Sequence, residues 1–93
     1  RAAAGPEASA PVAKRTLHVQ YYAVMRERAG RNEEELVTSA ATPAELYAEL
    51  SRRYPFALTR EQLKVAVNSE FAAWSAPLRD RDSVVFIPPV AGG

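Results

Sequence analysis

The sequence contains no cysteine among its 93 residues. That excludes disulfides, thiolate metal sites and a cysteine nucleophile of the chain's own, and it suits a reducing compartment such as the cytoplasm. Histidine is nearly absent too, with His18 alone and no second ligand candidate close to it in sequence. An excess of either charge is missing: twelve basic against eleven acidic side chains leave a net charge of +1. Neither a nucleic-acid footprint nor a basic membrane patch is indicated. No apolar run approaches the length that spans a bilayer. Large apolar side chains are scarce in residues 1–15 (RAAAGPEASAPVAKR), so this segment cannot bury enough surface to offset the entropy of ordering. It is expected to be a disordered N-terminal tail or a cloning remnant. The opening residue, arginine in place of methionine, is expected to reflect trimming or a longer parent chain. What remains is enough for one domain with a thin core, expected over 16–89 and followed by a flexible tail over 90–93.

Thr16 to Tyr22 (TLHVQYY) alternates, with Leu17, Val19 and Tyr21 on one face and His18, Gln20 and Tyr22 on the other. This is the pattern of a half-buried strand. Ala23 to Ala29 suits a short helix, with Gly30 as a left-handed C-cap. Glu33 to Ser39 reads as a second strand whose three glutamates are a solvated start. Thr42-Pro43-Ala44-Glu45 is a helix start: a capping hydroxyl, a proline at the first helical position and a glutamate that completes a capping box. Leu46, Tyr47, Leu50 and Tyr54 then fall on one apolar stripe, and Pro55 ends the helix. Lys64 to Asn68 is a third strand with Val65 and Val67 inward, and Phe71 to Trp74 a short fourth. Pro77 to Asp82 supplies turn residues. Ser83 to Ile87 (SVVFI) is strongly apolar, as a central strand would be. Pro88 and Pro89 then stop further pairing, because proline has no N–H to give a ladder. The fold class is α+β: a mixed sheet of four to five strands on one main helix.

One helix covers one side of a sheet. With Leu17, Val19, Tyr21, Val84 and Phe86 inward, Tyr22, Val85 and Ile87 face the other way, and Phe71 can join them. These residues are expected to form an uncovered apolar patch edged by Arg26, of the sort that marks a partner surface. The competing reading is that the loop around Trp74 covers some of them.

The chain closes on Val90-Ala91-Gly92-Gly93. Glycine lacks Cβ, so such a backbone can thread a narrow channel. The reactive group it offers is a carboxylate, ionised at neutral pH and therefore a poor electrophile until activated. An acyl-adenylate made from ATP by a partner enzyme would activate it, and a sulfur donor could convert it to a thiocarboxylate. Judged by the tail alone, an inert frayed terminus is the better reading.

From Leu17 to Gly93 the sequence resembles the molybdopterin synthase small subunit, a sulfur carrier with the ubiquitin-like β-grasp fold. The resemblance rests on LHVQYYAVMRERAG, TPAELYAELSRRYP, the AVN at Ala66 to Asn68, PLRDRDSV and above all FIPPVAGG. Arg81 departs from that family, which usually has glycine there, and the change is expected to alter the turn. The resemblance implies that Gly93 is adenylated by an enzyme similar to the ubiquitin-activating class and then thiocarboxylated with sulfur from a donor protein. It implies that Ala91 and Gly92 thread into the large synthase subunit, where sulfur passes to cyclic pyranopterin monophosphate for the molybdenum cofactor. It places Tyr22, Arg26, Phe71 and Ile87 at partner interfaces of a heterotetramer, and Val85, Pro88 and Pro89 are expected to join them there. No bound cofactor or metal is implied, ATP being used by the activating enzyme, and the chain is not expected to be catalytic alone. Sulfur delivery to thiamine or another product, protein modification through Gly93, and a plain interaction module are the alternatives.

Other candidates are read as structural. His18 is expected to be solvated or paired, Asp80 and Asp82 to form a turn, and Trp74 to flap over the core.

Overall fold

The computed structural model describes residues 14–89. Five strands and two helices follow one another as β1 (Arg15–Tyr21), α1 (Ala23–Ala29), β2 (Glu33–Thr38), α2 (Pro43–Arg53), β3 (Lys64–Val67), β4 (Glu70–Ala72) and β5 (Ser83–Ile87), with a 3-10 turn at Arg60–Gln62 before β3. Arg15, assigned by composition to the tail, instead opens β1: its backbone pairs with Thr38 and its guanidinium donates to the carbonyls of Ser39 and Ala40. Residues 1–13 and 90–93 lie outside the described residues.

The sheet order is β2-β1-β5-β3-β4. β1 and β5 pair in parallel at the centre, and the remaining neighbours are antiparallel. The central place of β5 matches its unbroken apolar run. Asn68 and Ser69 both have positive φ, 52° and 73°, the geometry that lets a two-residue connection reverse β3 into β4 with the sheet's own twist.

One face of the sheet carries the core. Leu17, Val19, Tyr21, Val84 and Phe86 are fully buried there against Leu46, Tyr47 and Leu50 of α2. Val65 is buried beside them and Val67 packs on the cluster half-buried. Phe56, buried after α2, fills the space between Tyr21 and Tyr47, stacked on the latter at 5.7 Å. Trp74 stacks on Phe86 at 5.9 Å and meets Tyr47 at 5.8 Å. It is thus a flap over the helix side of the core and leaves the opposite face uncovered.

The start of α2 follows the sequence in part. Thr42 Oγ1 accepts from the N–H of Glu45 at 3.2 Å, with Pro43 in the first turn. The Glu45 carboxylate, however, accepts from the N–H of Ala41 at 2.8 Å. The second half of the expected capping box is therefore made one residue earlier, and it still occupies a donor ahead of the helix. Gly30 caps α1 at φ 75°, and its N–H reaches the Arg26 carbonyl at 2.9 Å. Among the described residues no helix is long and apolar enough to cross a membrane.

Candidate functional site

The open face of the sheet is laid out by register. Gln20, Val85, Ala66 and Phe71 are successive cross-strand partners on β1, β5, β3 and β4. Directly opposed residues project to the same side, and Val85 points away from the core because Val84 and Phe86 point into it. Phe71 is 74% exposed and Ala66, beside it, is buried. One step further along the strands, Ile87 pairs with Lys64.

Tyr22 follows the last paired residue of β1 and is 51% exposed. Its carbonyl accepts from the N–H of Met25 at 3.0 Å, so it serves as the extended N-cap of α1. The next residue, Ala23, has a φ of 52°, a left-handed conformation that costs a residue with a Cβ about 1–2 kcal/mol. That turn is what swings the chain from strand to helix at the edge of the open face. Tyr22 and Ile87, with Val24, Leu58, Pro88 and Pro89, line an apolar recess of about 530 Å³. Ile87, Pro88 and Pro89 also border a second recess of about 380 Å³, shared with Phe71 and Lys64.

Tyr22, Phe71, Val85 and Ile87 are therefore brought to one side of the sheet, and Ile87 joins the two recesses. Val85 and Ile87 are half-buried. Pro88 is buried and Pro89 exposed, so the first proline roots the chain at the end of β5 and the second leaves it. Arg26 is exposed on α1 and lines neither recess. Ala91, Gly92 and Gly93 lie outside the described residues. Leu58 and Val24 were not singled out by alternation, because neither lies on a strand.

The other polar candidates from the sequence, His18, Asp80 and Asp82, have structural partners. His18 Nε2 lies 2.6 Å from Glu33 Oε1 across β1 and β2. Asp80 Oδ1 accepts from the N–H of Thr16 at 2.6 Å; Asp82 accepts from the Arg79 N–H at 2.8 Å and the Asn68 amide at 2.9 Å. Both aspartates thus tie the 79–82 turn to the sheet. Arg81 takes φ 75°, the conformation a glycine would supply there, and its N–H still reaches the Thr16 carbonyl at 2.7 Å. The turn therefore holds a strained residue at this position.

Glu34 is the exception to the solvated reading of the three glutamates. It points inward, accepting from Tyr21 Oη at 2.6 Å, Tyr54 Oη at 2.9 Å and Arg31 at 3.3 Å. Burial, and after it the hydrogen bond to Glu34, pushes the Tyr21 hydroxyl far above its ordinary ionisation range. Tyr54 is raised for the same reasons in the same order. Among the described residues no three His, Cys, Asp or Glu side chains stand together as a metal site.

Residues 19–93 match the ThiS family. The chain belongs to that family. The molybdopterin synthase sulfur carrier subunit of Escherichia coli (strain K12) is 35% identical over 80 residues, spanning 83% of this chain and 99% of its own length. A Pyrococcus furiosus protein named as subunit 1 of a molybdopterin converting factor superposes with a TM-score of 0.70 at 29% identity, covering 82% of this chain and 99% of that one. In a complex of subunits 1 and 2 of the molybdopterin-converting factor from Helicobacter pylori 26695, the matching chain gives a TM-score of 0.58 at 24% identity over 84% and 99% of the two chains. The fold shared with these proteins is the ubiquitin-like β-grasp.

Proposed function

We propose that this protein is the sulfur-carrying small subunit of a molybdopterin synthase in the cytoplasm, with Gly93 as the point of attachment. The observation that carries this reading is the 35% identity extending over 99% of the E. coli sulfur carrier subunit. The FIPPVAGG ending adds to it, since the strand it follows is central in the sheet and its second proline is exposed. An adenylating enzyme joins the Gly93 carboxylate to AMP from ATP. A donor protein then replaces AMP by sulfur. The resulting thiocarboxylate is a soft nucleophile that is ionised at neutral pH, as thiolates with depressed pKa are. It is delivered to cyclic pyranopterin monophosphate within the large subunit.

The chain holds no bound cofactor in this scheme and supplies an acyl group on a thin backbone. Ala91 and Gly92 carry little or no side chain, which suits threading. The face built by Tyr22, Phe71, Val85 and Ile87, with Pro88, Pro89 and Arg26 around it, docks the large subunit in a heterotetramer. An apolar centre with a charged rim is the usual anatomy of such a surface, and the subunit 1 and 2 complex from H. pylori is a precedent for the pairing. Intact mass tests the chemistry. Incubated with the adenylating enzyme, ATP and a sulfur donor, the protein should gain the mass difference between sulfur and oxygen. An unchanged mass, or a shift only into larger conjugates, would exclude the carrier role.

A further inference from the structure

The two edges of the sheet differ. β4 is a strand of three residues, whereas β2 runs for six residues outside β1. Just past the pair of Gln20 with Glu33, the Tyr21 N–H donates to the Asn32 carbonyl at 2.8 Å. Hydrogen-bonded and open pairs alternate along an antiparallel ladder. Asn32, Glu34, Leu36 and Thr38 therefore turn their backbone groups toward β1, and Glu33, Glu35 and Val37 turn theirs outward. No backbone bond from elsewhere in the described residues reaches those three, and their side chains are all exposed. Strand edges are commonly closed by proline, a bulge or a covering element. β2 has no proline, and its register with β1 is unbroken over six pairs. It is also held firmly from behind, since Leu36 and Thr38 are buried and Glu34 accepts from Tyr21 and Tyr54.

We propose that the β2 edge is a docking site for an extended, basic segment of another protein, which joins the sheet as a sixth strand antiparallel to β2. In such an addition the main-chain bonds supply affinity, and alternate side chains supply the choice of partner. Charge selects the occupant here. Glu33 and Glu35 flank the open backbone groups, and β2 carries no basic residue. Glu33 lies 2.6 Å from His18, while Glu35 makes no ion pair among the described residues. Opposite charges across a strand pair attract and like charges repel. A second copy is a poor occupant, because two β2 edges would gather four of these carboxylates on one ribbon. The fitting segment, read from its N-terminal end, sets an apolar residue opposite Val37 and basic residues opposite Glu35 and Glu33, each two positions on. β2 and β4 are opposite edges of the sheet, so a segment on β2 stays clear of Phe71. The inference goes beyond the carrier reading and does not depend on it.

The test titrates the full chain with a seven-residue peptide, blocked at both ends, that has valine second, arginine fourth and sixth, and threonine elsewhere. Heteronuclear NMR reads the dissociation constant, and amide hydrogen exchange reads the ladder. At saturation, exchange of the Glu33, Glu35 and Val37 N–H groups should slow by about tenfold or more. N-methylation of the valine and both arginines, whose N–H groups would face β2, should abolish binding. N-methylation of the third and fifth residues, whose N–H groups would face away, should leave the dissociation constant within about threefold. Glu35→Lys should raise it by about fivefold or more, with the rest of the spectrum unchanged. No binding, equal loss from both methylated peptides, equal binding of a peptide with glutamate in place of arginine, or pairing of the chain with itself along β2 would overturn the proposal.

Discussion

Glu34 sits in a run of three glutamates, yet it holds two tyrosine hydroxyls and an arginine at the base of the core. The signal was available in the alternation of β2: Leu36 and Thr38 are buried, and Glu34 shares their parity. The charge of the run masked it. The cluster gives the protein an alkaline limit. The Tyr21 hydroxyl ordinarily ionises near 10.0 and is raised in the folded state, chiefly by burial and then by Glu34. Below that pH both folded and unfolded chains keep the proton and the stabilisation is complete. Above it the unfolded chain loses the proton first, so stability falls as pH rises. A urea series should show the unfolding midpoint dropping above pH 10, less steeply in Tyr21→Phe. Tyrosinate absorbance from Tyr21 developing near pH 10 with the fold intact would contradict this.

At the scale of elements, what is local was legible and what is long-range was not. Alternation in β1 and β5, the Thr42-Pro43 helix start and the Gly30 cap are each decided by neighbouring residues, and all three stand in the structure. The parallel pairing of β1 with β5 joins the two ends of the domain, and no local pattern encodes it. Phe56, Leu63 and Leu78 are buried from loops and turns, where no periodicity announces an inward position. The 79–82 turn combines both cases. Its aspartates were readable as turn formers, but not their bonds to β1 and to Asn68. Arg81 at φ 75° is strained by about 1 kcal/mol relative to glycine, and its contact with Asp80 at 3.7 Å is exposed on both sides and worth little. Arg81→Gly should therefore raise stability by roughly 1 kcal/mol, seen as a higher urea midpoint with an unchanged slope. A lower midpoint would show that the arginine side chain contributes more than its backbone costs.

For the whole molecule, the sheet separates two tasks. One face is consumed by α2 and the aromatic core; the other is left to Tyr22, Phe71, Val85 and Ile87, and the prolines at its edge lead into the last four residues. The sequence made this face legible because alternation assigns sides. It did not disclose the recess with Val24 and Leu58, which depends on how the segment after α2 returns across the end of the sheet. Val37 is also 60% exposed, on the far edge strand and away from the recesses, where it belongs to the open edge of β2. A charge placed at the junction of the two recesses should separate docking from folding. Ile87→Lys is expected to raise the dissociation constant for the large subunit at least tenfold, or about 1.4 kcal/mol. Stability should change by less than about 1 kcal/mol, because a lysine stem can lie along the apolar surface with its amine in water. Unaltered binding would remove Ile87 from the interface.

Carrier chemistry at the terminus is tested most directly by removing its last residue and assaying a reconstituted synthase. With the large subunit, the adenylating enzyme, ATP, a sulfur donor and cyclic pyranopterin monophosphate present, the chain lacking Gly93 should fold with an unchanged urea midpoint and transfer no sulfur. Sulfur transfer by the shortened chain at the rate of the intact protein would contradict the assignment of Gly93 as the carrier group.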